Sequence, residues 1–167
     1  MRWLSFFILA YIALGLDAGL ARAIEWKSAS PDFVLLAAVF IAMNAPRETA
    51  LLGCFILGAS HDLTGQGTLG LYAFSYGIAA VFIVSVQQAV NRRHPLTQFM
   101  LTGFSGILIA IIISLHGWIR PPAPGLHPPA TPLFYSAVYS AVLAPFVLAG
   151  LQKIRGVFHF QTNRGRM

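Results

Sequence analysis

The chain has 167 residues, 57% of them hydrophobic and only 10% charged, whereas soluble domains carry about 45–50% apolar and about 25% charged residues. So few charges cannot clothe a water-facing surface, which excludes a soluble domain and leaves an integral membrane protein. The 11 Lys and Arg against 5 Asp and Glu would suggest nucleic acid in a soluble chain. Here they lie between apolar runs, as positive charge held on the cytoplasmic side of a membrane does, and no nucleic-acid partner is expected.

At about 20 residues per crossing the length allows roughly six crossings and no extramembrane domain. Apolar segments are predicted at 3–21, 32–45, 48–63, 69–90, 96–118 and 133–151, giving a single all-α transmembrane bundle over 1–152. The first ends at Ala21-Arg22-Ala23, an A-x-A pattern like a signal-peptide cleavage site. Against cleavage, the apolar run is long, and Gly15 and Gly19 offer a helix-packing face. The second and third segments are short. At 1.5 Å per residue the second spans about 20 Å against a hydrocarbon core of about 30 Å. It must recruit flanking residues, thin the bilayer, or be shielded by other helices.

Residues 120–132 carry six prolines (Pro121, Pro122, Pro124, Pro128, Pro129 and Pro132) and read as a stiff outside connector, or as an outside docking strip. Residues 153–167 form a basic tail. With both termini inside, the inner segments carry Arg2, Arg47, Arg92, Arg93, Lys153, Arg155, Arg164 and Arg166, and the outer loops only Arg22, Lys27 and Arg120. That asymmetry favours an N-in, C-in topology.

Small residues recur four apart at Ala73/Gly77, Ser136/Ser140/Ala144 and Ala137/Ala141, a spacing that lets helix backbones approach closely in lipid. Asp17 falls near the outer end of the first helix, where a carboxylate costs less than at the bilayer centre. It is expected to snorkel or to hydrogen-bond into the bundle, with partner or substrate contact as the alternative. Asp62, in Ser60-His61-Asp62-Leu63-Thr64-Gly65-Gln66-Gly67, ends the third helix at the negative end of its dipole. Its expected role is to accept backbone N–H groups of the 65–70 turn, and an outward binding role assisted by His61 is the alternative.

Enzymatic readings find little support. The five histidines (His61, His94, His116, His127 and His159) show no ligand spacing, and Cys54 is single. No G-x-S-x-G, P-loop or paired intramembrane carboxylates appear, and Asp32 and most other acids read as loop residues. No catalytic residue, metal or cofactor is expected.

Pro31-Asp32-Phe33 opens the second segment, and about twenty residues later comes a run with Gly53, Phe55, Gly58, Asp62, Gly65, Gly67, Gly70 and Tyr72. This resembles the bacterial rod shape-determining MreD family, with its P-D start and G-F-x-x-G-x-x-x-D-x-x-x-G-x-x-x-G-type run. The match covers about 31–76, and length and segment layout extend it. The Gly-Phe step is interrupted by Cys54, His61 stands where an aliphatic residue is usual, and the proline-rich loop is a further departure.

The resemblance implies a non-enzymatic inner-membrane scaffold of the cell-elongation, peptidoglycan-synthesising complex. It would bind MreC directly and link MreB filaments to RodA and PBP2, with no small-molecule substrate. The motif residues Pro31, Asp32, Gly58, Asp62, Gly65, Gly70 and Tyr72, with Asp17, are its candidate partner-binding or structural positions. The implied fold is similar to the substrate-binding (S) components of energy-coupling-factor vitamin transporters. The runner-up is therefore a small-molecule-binding transporter subunit, with Asp17, Glu25, Trp26, Asp62, Gln66, His116 and Trp118 as outer pocket candidates. A packing-only accessory bundle is a third reading. The fourth segment, with Tyr72, Phe74 and Tyr76, suits the scaffold as an adhesive lateral face.

Overall fold

A computed structural model of the chain describes residues 3–23, 30–64, 69–86, 94–119 and 130–158, leaving aside the side chains of 3–5, 21–23, 130–131 and 154–158. Six helices lie among them: α1 (Trp3–Ala23), α2 (Phe33–Asn44), α3 (Arg47–Thr64), α4 (Leu71–Val86), α5 (Pro95–Ile119) and α6 (Ala130–Phe158). Their order follows the six predicted segments. The last helix is longer than predicted at both ends, beginning inside the 120–132 stretch and running into the basic tail. Pro132 is tolerated there because the first turn of a helix needs no N–H donor.

From Phe33 to Met43 the sequence has no polar side chain, and a helix apolar on every side has no face to give to water. Accordingly every residue of α2 is buried, and α2 packs against all five other helices. The shielded alternative is thus the one realised for the short second segment. Asp32 starts the helix as its N-cap, its carboxylate accepting from the Leu35 N–H at 2.7 Å. Asn44 donates back to the Phe40 carbonyl at 2.8 Å, and Pro46 follows where a helix cannot continue.

The surrounding helices each bury one stripe at helical spacing. On α3 it is Ala50, Gly53, Cys54, Leu57, Gly58 and Asp62; on α4 it is Ala73, Tyr76, Ala79, Ala80, Ile83 and Val84. On α6 the inward residues are small, and Ala137 and Ala141 lie against Gly106 and Gly103 of α5. A Cβ on Gly106 would come within 2.8 Å of the Ala137 Cβ, so the glycine sets the α5–α6 separation. The outward faces carry Phe7, Tyr11, Leu52, Phe55, Phe74, Phe104, Ile111, Val142 and Phe146, all exposed. An apolar surface of that extent on a soluble monomer would be an aggregation site; in a bilayer it is the lipid-facing surface. Among the described residues, Pro95–Ile119 and Pro132–Lys153 are long and apolar enough to cross a membrane, and α1, α2 and α4 supply shorter apolar stretches.

The α1 helix is attached differently. Phe6, Leu9, Ala10 and Ala13 are buried, chiefly against α2 and to a lesser extent α3. Among the described residues the predicted packing face of Gly15 and Gly19 meets nothing, since no atom lies within 4 Å of a Cβ built on either. Asp17 continues the inward stripe of Phe6, Leu9, Ala10 and Ala13 at helical spacing, so that it, not the glycines, faces the bundle.

Candidate functional site

Polar side chains collect where α1, α3 and α5 end and α2, α4 and α6 begin. They form two arrangements, and the neighbours His61 and Asp62 on α3 belong one to each.

Asp62 is 5% exposed and serves the fold. One carboxylate oxygen accepts from the N–H groups of Gly70 (3.0 Å) and Ala73 (2.9 Å), the other from Tyr72 (3.1 Å). The start of α4 leaves its first N–H groups without intrahelical partners and carries positive partial charge. A carboxylate from the end of α3 therefore caps it across the junction. Two glycines make this possible. Gly70 has φ +94°, the left-handed region that glycine enters without a Cβ penalty, and its carbonyl accepts from Phe74. A Cβ on Gly58 would lie 2.7 Å from both the Ala73 Cα and the Tyr72 carbonyl oxygen, so only glycine lets α3 approach the α4 backbone this closely. The Asp62 donors fall at 70–73. Gly65, the other glycine of the motif, lies outside the described residues.

The second arrangement is a cleft of about 290 Å³, lined by Asp17 of α1, Ser30, Asp32, His61, Tyr72, and Ser136 of α6, over an apolar floor that includes Leu35, Ile109 and Ile113. It lies between the outer part of α1 and the α5–α6 pair, with His61 of α3 and Tyr72 of α4 on its wall. His61 Nε2 stands 3.4 Å from Asp17 Oδ2, and the imidazole meets the Tyr72 ring edge to face at 4.4 Å between centroids. His61 Nδ1 is buried without a hydrogen-bond partner among the described residues.

The Asp32 carboxylate accepts from the Tyr76 hydroxyl at 2.8 Å, and its backbone N–H donates to Ser140 Oγ at 2.8 Å. Ser136 Oγ donates to the Ser30 carbonyl at 2.6 Å. These bonds tie the α2 entry to α4 and α6. Pro31, fully buried, precedes the cap.

This corrects three expectations. Asp32 is not a loop carboxylate: it is a helix cap inside the bundle, sharing a cleft with Asp17, so two carboxylates do face one another's neighbourhood. Tyr76 is 1% exposed and Tyr72 half-buried, leaving Phe74, of the three, as the outward aromatic of α4. Among the described outer pocket candidates, only Asp17 lines the cleft. Asp62 turns to α4, Trp118 is 84% exposed, His116 is half-buried away from the cleft lining, and Glu25, Trp26 and Gln66 fall outside the described residues. The prolines at 121–129 also fall outside them. What sequence reading missed is the pairing of Asp32 with Ser140 and of the Ser30 carbonyl with Ser136. The serine spacing on α6 was legible, but its partner, more than a hundred residues upstream, was not.

The chain matches the family described as rod shape-determining protein MreD over residues 1–154. No curated protein and no solved structure matches it.

Proposed function

The chain belongs to the MreD family of rod shape-determining proteins, a non-enzymatic family, and from that premise we propose that it is an inner-membrane scaffold of the bacterial elongation machinery. In this reading it binds MreC directly and links MreB filaments to RodA and PBP2. The observation that carries it is the extent of the family match, which takes in nearly the whole helical bundle rather than a motif.

The geometry supports lateral binding in lipid. The outward face of α1 presents Phe7, Tyr11, Gly15 and Gly19, and an open pair of glycines lets another helix approach closely, which is how helices associate in a bilayer. Both termini are cytoplasmic in this proposal, supported by the basic residues of the inner segments. The tail residues Lys153, Arg155, Arg164 and Arg166 would meet anionic headgroups at about 1 kcal/mol each, or MreB. A fold like that of the S components belongs to the same proposal and rests on the resemblance.

The polar cleft favours a second reading, a small-molecule-binding subunit of a transporter. Depleting the chain from its bacterial host tests the scaffold. Cells are expected to lose rod shape, and MreC is expected to drop out of material purified on RodA. Undiminished MreC on RodA in depleted cells would overturn the linking role.

A further inference from the structure

We propose that the cleft between α1 and the α5–α6 pair is a binding site for an ammonium group, carried either by a small organic amine or by the ethanolamine headgroup of a phospholipid. The inference rests on the cleft and stands apart from the scaffold proposal.

Its lining sets two carboxylates, Asp17 and Asp32, against one imidazole, and among the described lining residues there is no Lys or Arg. Asp17 has His61 beside it at 3.4 Å. Among the described residues the Asp32 carboxylate accepts hydrogen bonds from two neutral donors, the Leu35 N–H and the Tyr76 hydroxyl, and shares with Asp17 the one imidazole of His61. Each of its oxygens also keeps a lone pair beyond the bond it accepts. Two carboxylates facing one imidazole at membrane depth leave negative charge unmatched, which is costly, and a cation entering the cleft reduces that cost. An anion would be repelled by the same wall.

The nature of the cation follows from the remaining lining. Among the described residues no three His, Cys, Asp or Glu side chains converge to hold a metal ion. Tyr72 offers an aromatic ring, which attracts organic cations, and Leu35, Ile109 and Ile113 suit an apolar body. The volume of about 290 Å³ sits at the small end of ligand pockets, the scale of a headgroup or a small amine rather than a large cofactor. Against the expectation of no small-molecule partner, the cleft is thus built for one chemical feature.

The test uses the full chain purified in a mild detergent. One arm titrates benzylamine against benzyl alcohol, equal in shape but uncharged, following intrinsic fluorescence. The other supplies equal phosphatidylethanolamine and phosphatidylglycerol and reads retained lipid by native mass spectrometry. Benzylamine is expected to bind at least about tenfold tighter than the alcohol, or phosphatidylethanolamine to be retained over phosphatidylglycerol. The first result assigns a free amine, the second a headgroup, and either supports the site.

Both Asp17→Asn and Asp32→Asn are expected to abolish the preference. Asparagine still caps a helix, but should Asp32→Asn fail to fold, Asp17→Asn carries the test because its side chain is partly exposed and outside the α2 cap. Equal binding of amine and alcohol with no lipid preference, or a preference that survives in Asp17→Asn, would overturn the proposal. So would absence of binding, as when a basic residue of the chain, such as Arg22 or Lys27, fills the cleft itself.

Discussion

His61 and Asp62 are consecutive residues with opposite fates. Asp62 is closed against the start of α4 and satisfied by three backbone N–H groups; His61 faces a cleft with Asp17 and Asp32. One turn of α3 thus borders both a rigid junction and an open site. A carboxylate whose acceptors are filled by its own backbone holds the fold, whereas two that share one imidazole across a cleft are available to something else.

The sharpest way to break this contrast is at the glycines. Gly58→Val puts side-chain atoms into the α4 backbone and is expected to destabilise by about 3 kcal/mol, at the high end for overpacking. Gly15→Val, with nothing within 4 Å, should stay within about 0.5 kcal/mol. Thermal unfolding in detergent checks both, and similar melting for the pair would refute the close α3–α4 approach.

Next in size, Asp62→Ala leaves the Gly70, Tyr72 and Ala73 donors without their acceptor and is expected to cost about 2 kcal/mol. Asp62→Asn should recover part of it. The variant should still insert into the membrane, as carbonate extraction would report.

Tyr76→Phe removes the hydroxyl that holds Asp32 and should cost about 1 kcal/mol, within the range of interhelical hydrogen bonds in membranes. The smallest effect belongs to Asp17→Asn. Its contact with His61 lies in a cleft rather than in the core, so the change in melting is expected to be within about 0.5 kcal/mol. A loss as large as that of Asp62→Ala would mean that the cleft, too, is part of what holds the bundle.

The rigid junction was largely legible in the sequence. An acid at the end of an apolar helix, followed by glycines and another apolar helix, is a local pattern with a local explanation; Asp62 does accept backbone N–H groups, although from 70–73, at the end of the expected 65–70 turn and beyond it. The stripes of small residues on α6 were also legible, because their spacing alone implies a close neighbour. The cleft was not. Asp17, Asp32, His61 and Ser136 lie on four different helices or their caps, and nothing in their local context distinguishes Asp32 from a loop acid. The partner of the α1 glycines was not legible for a related reason: a pair of glycines announces a close approach without saying whether the partner belongs to the same chain. The depth of the second segment was undecided by length, although its unbroken apolar circumference was the signal that α2 is central.

The central claim is that this bundle works by holding other membrane proteins, and gentle detergent purification of the tagged chain with mass spectrometry of what co-elutes tests it most directly. The account predicts MreC together with RodA or PBP2. Recovery of ATPase subunits with a large membrane coupling protein, and no MreC, would contradict it and make the chain a transporter subunit.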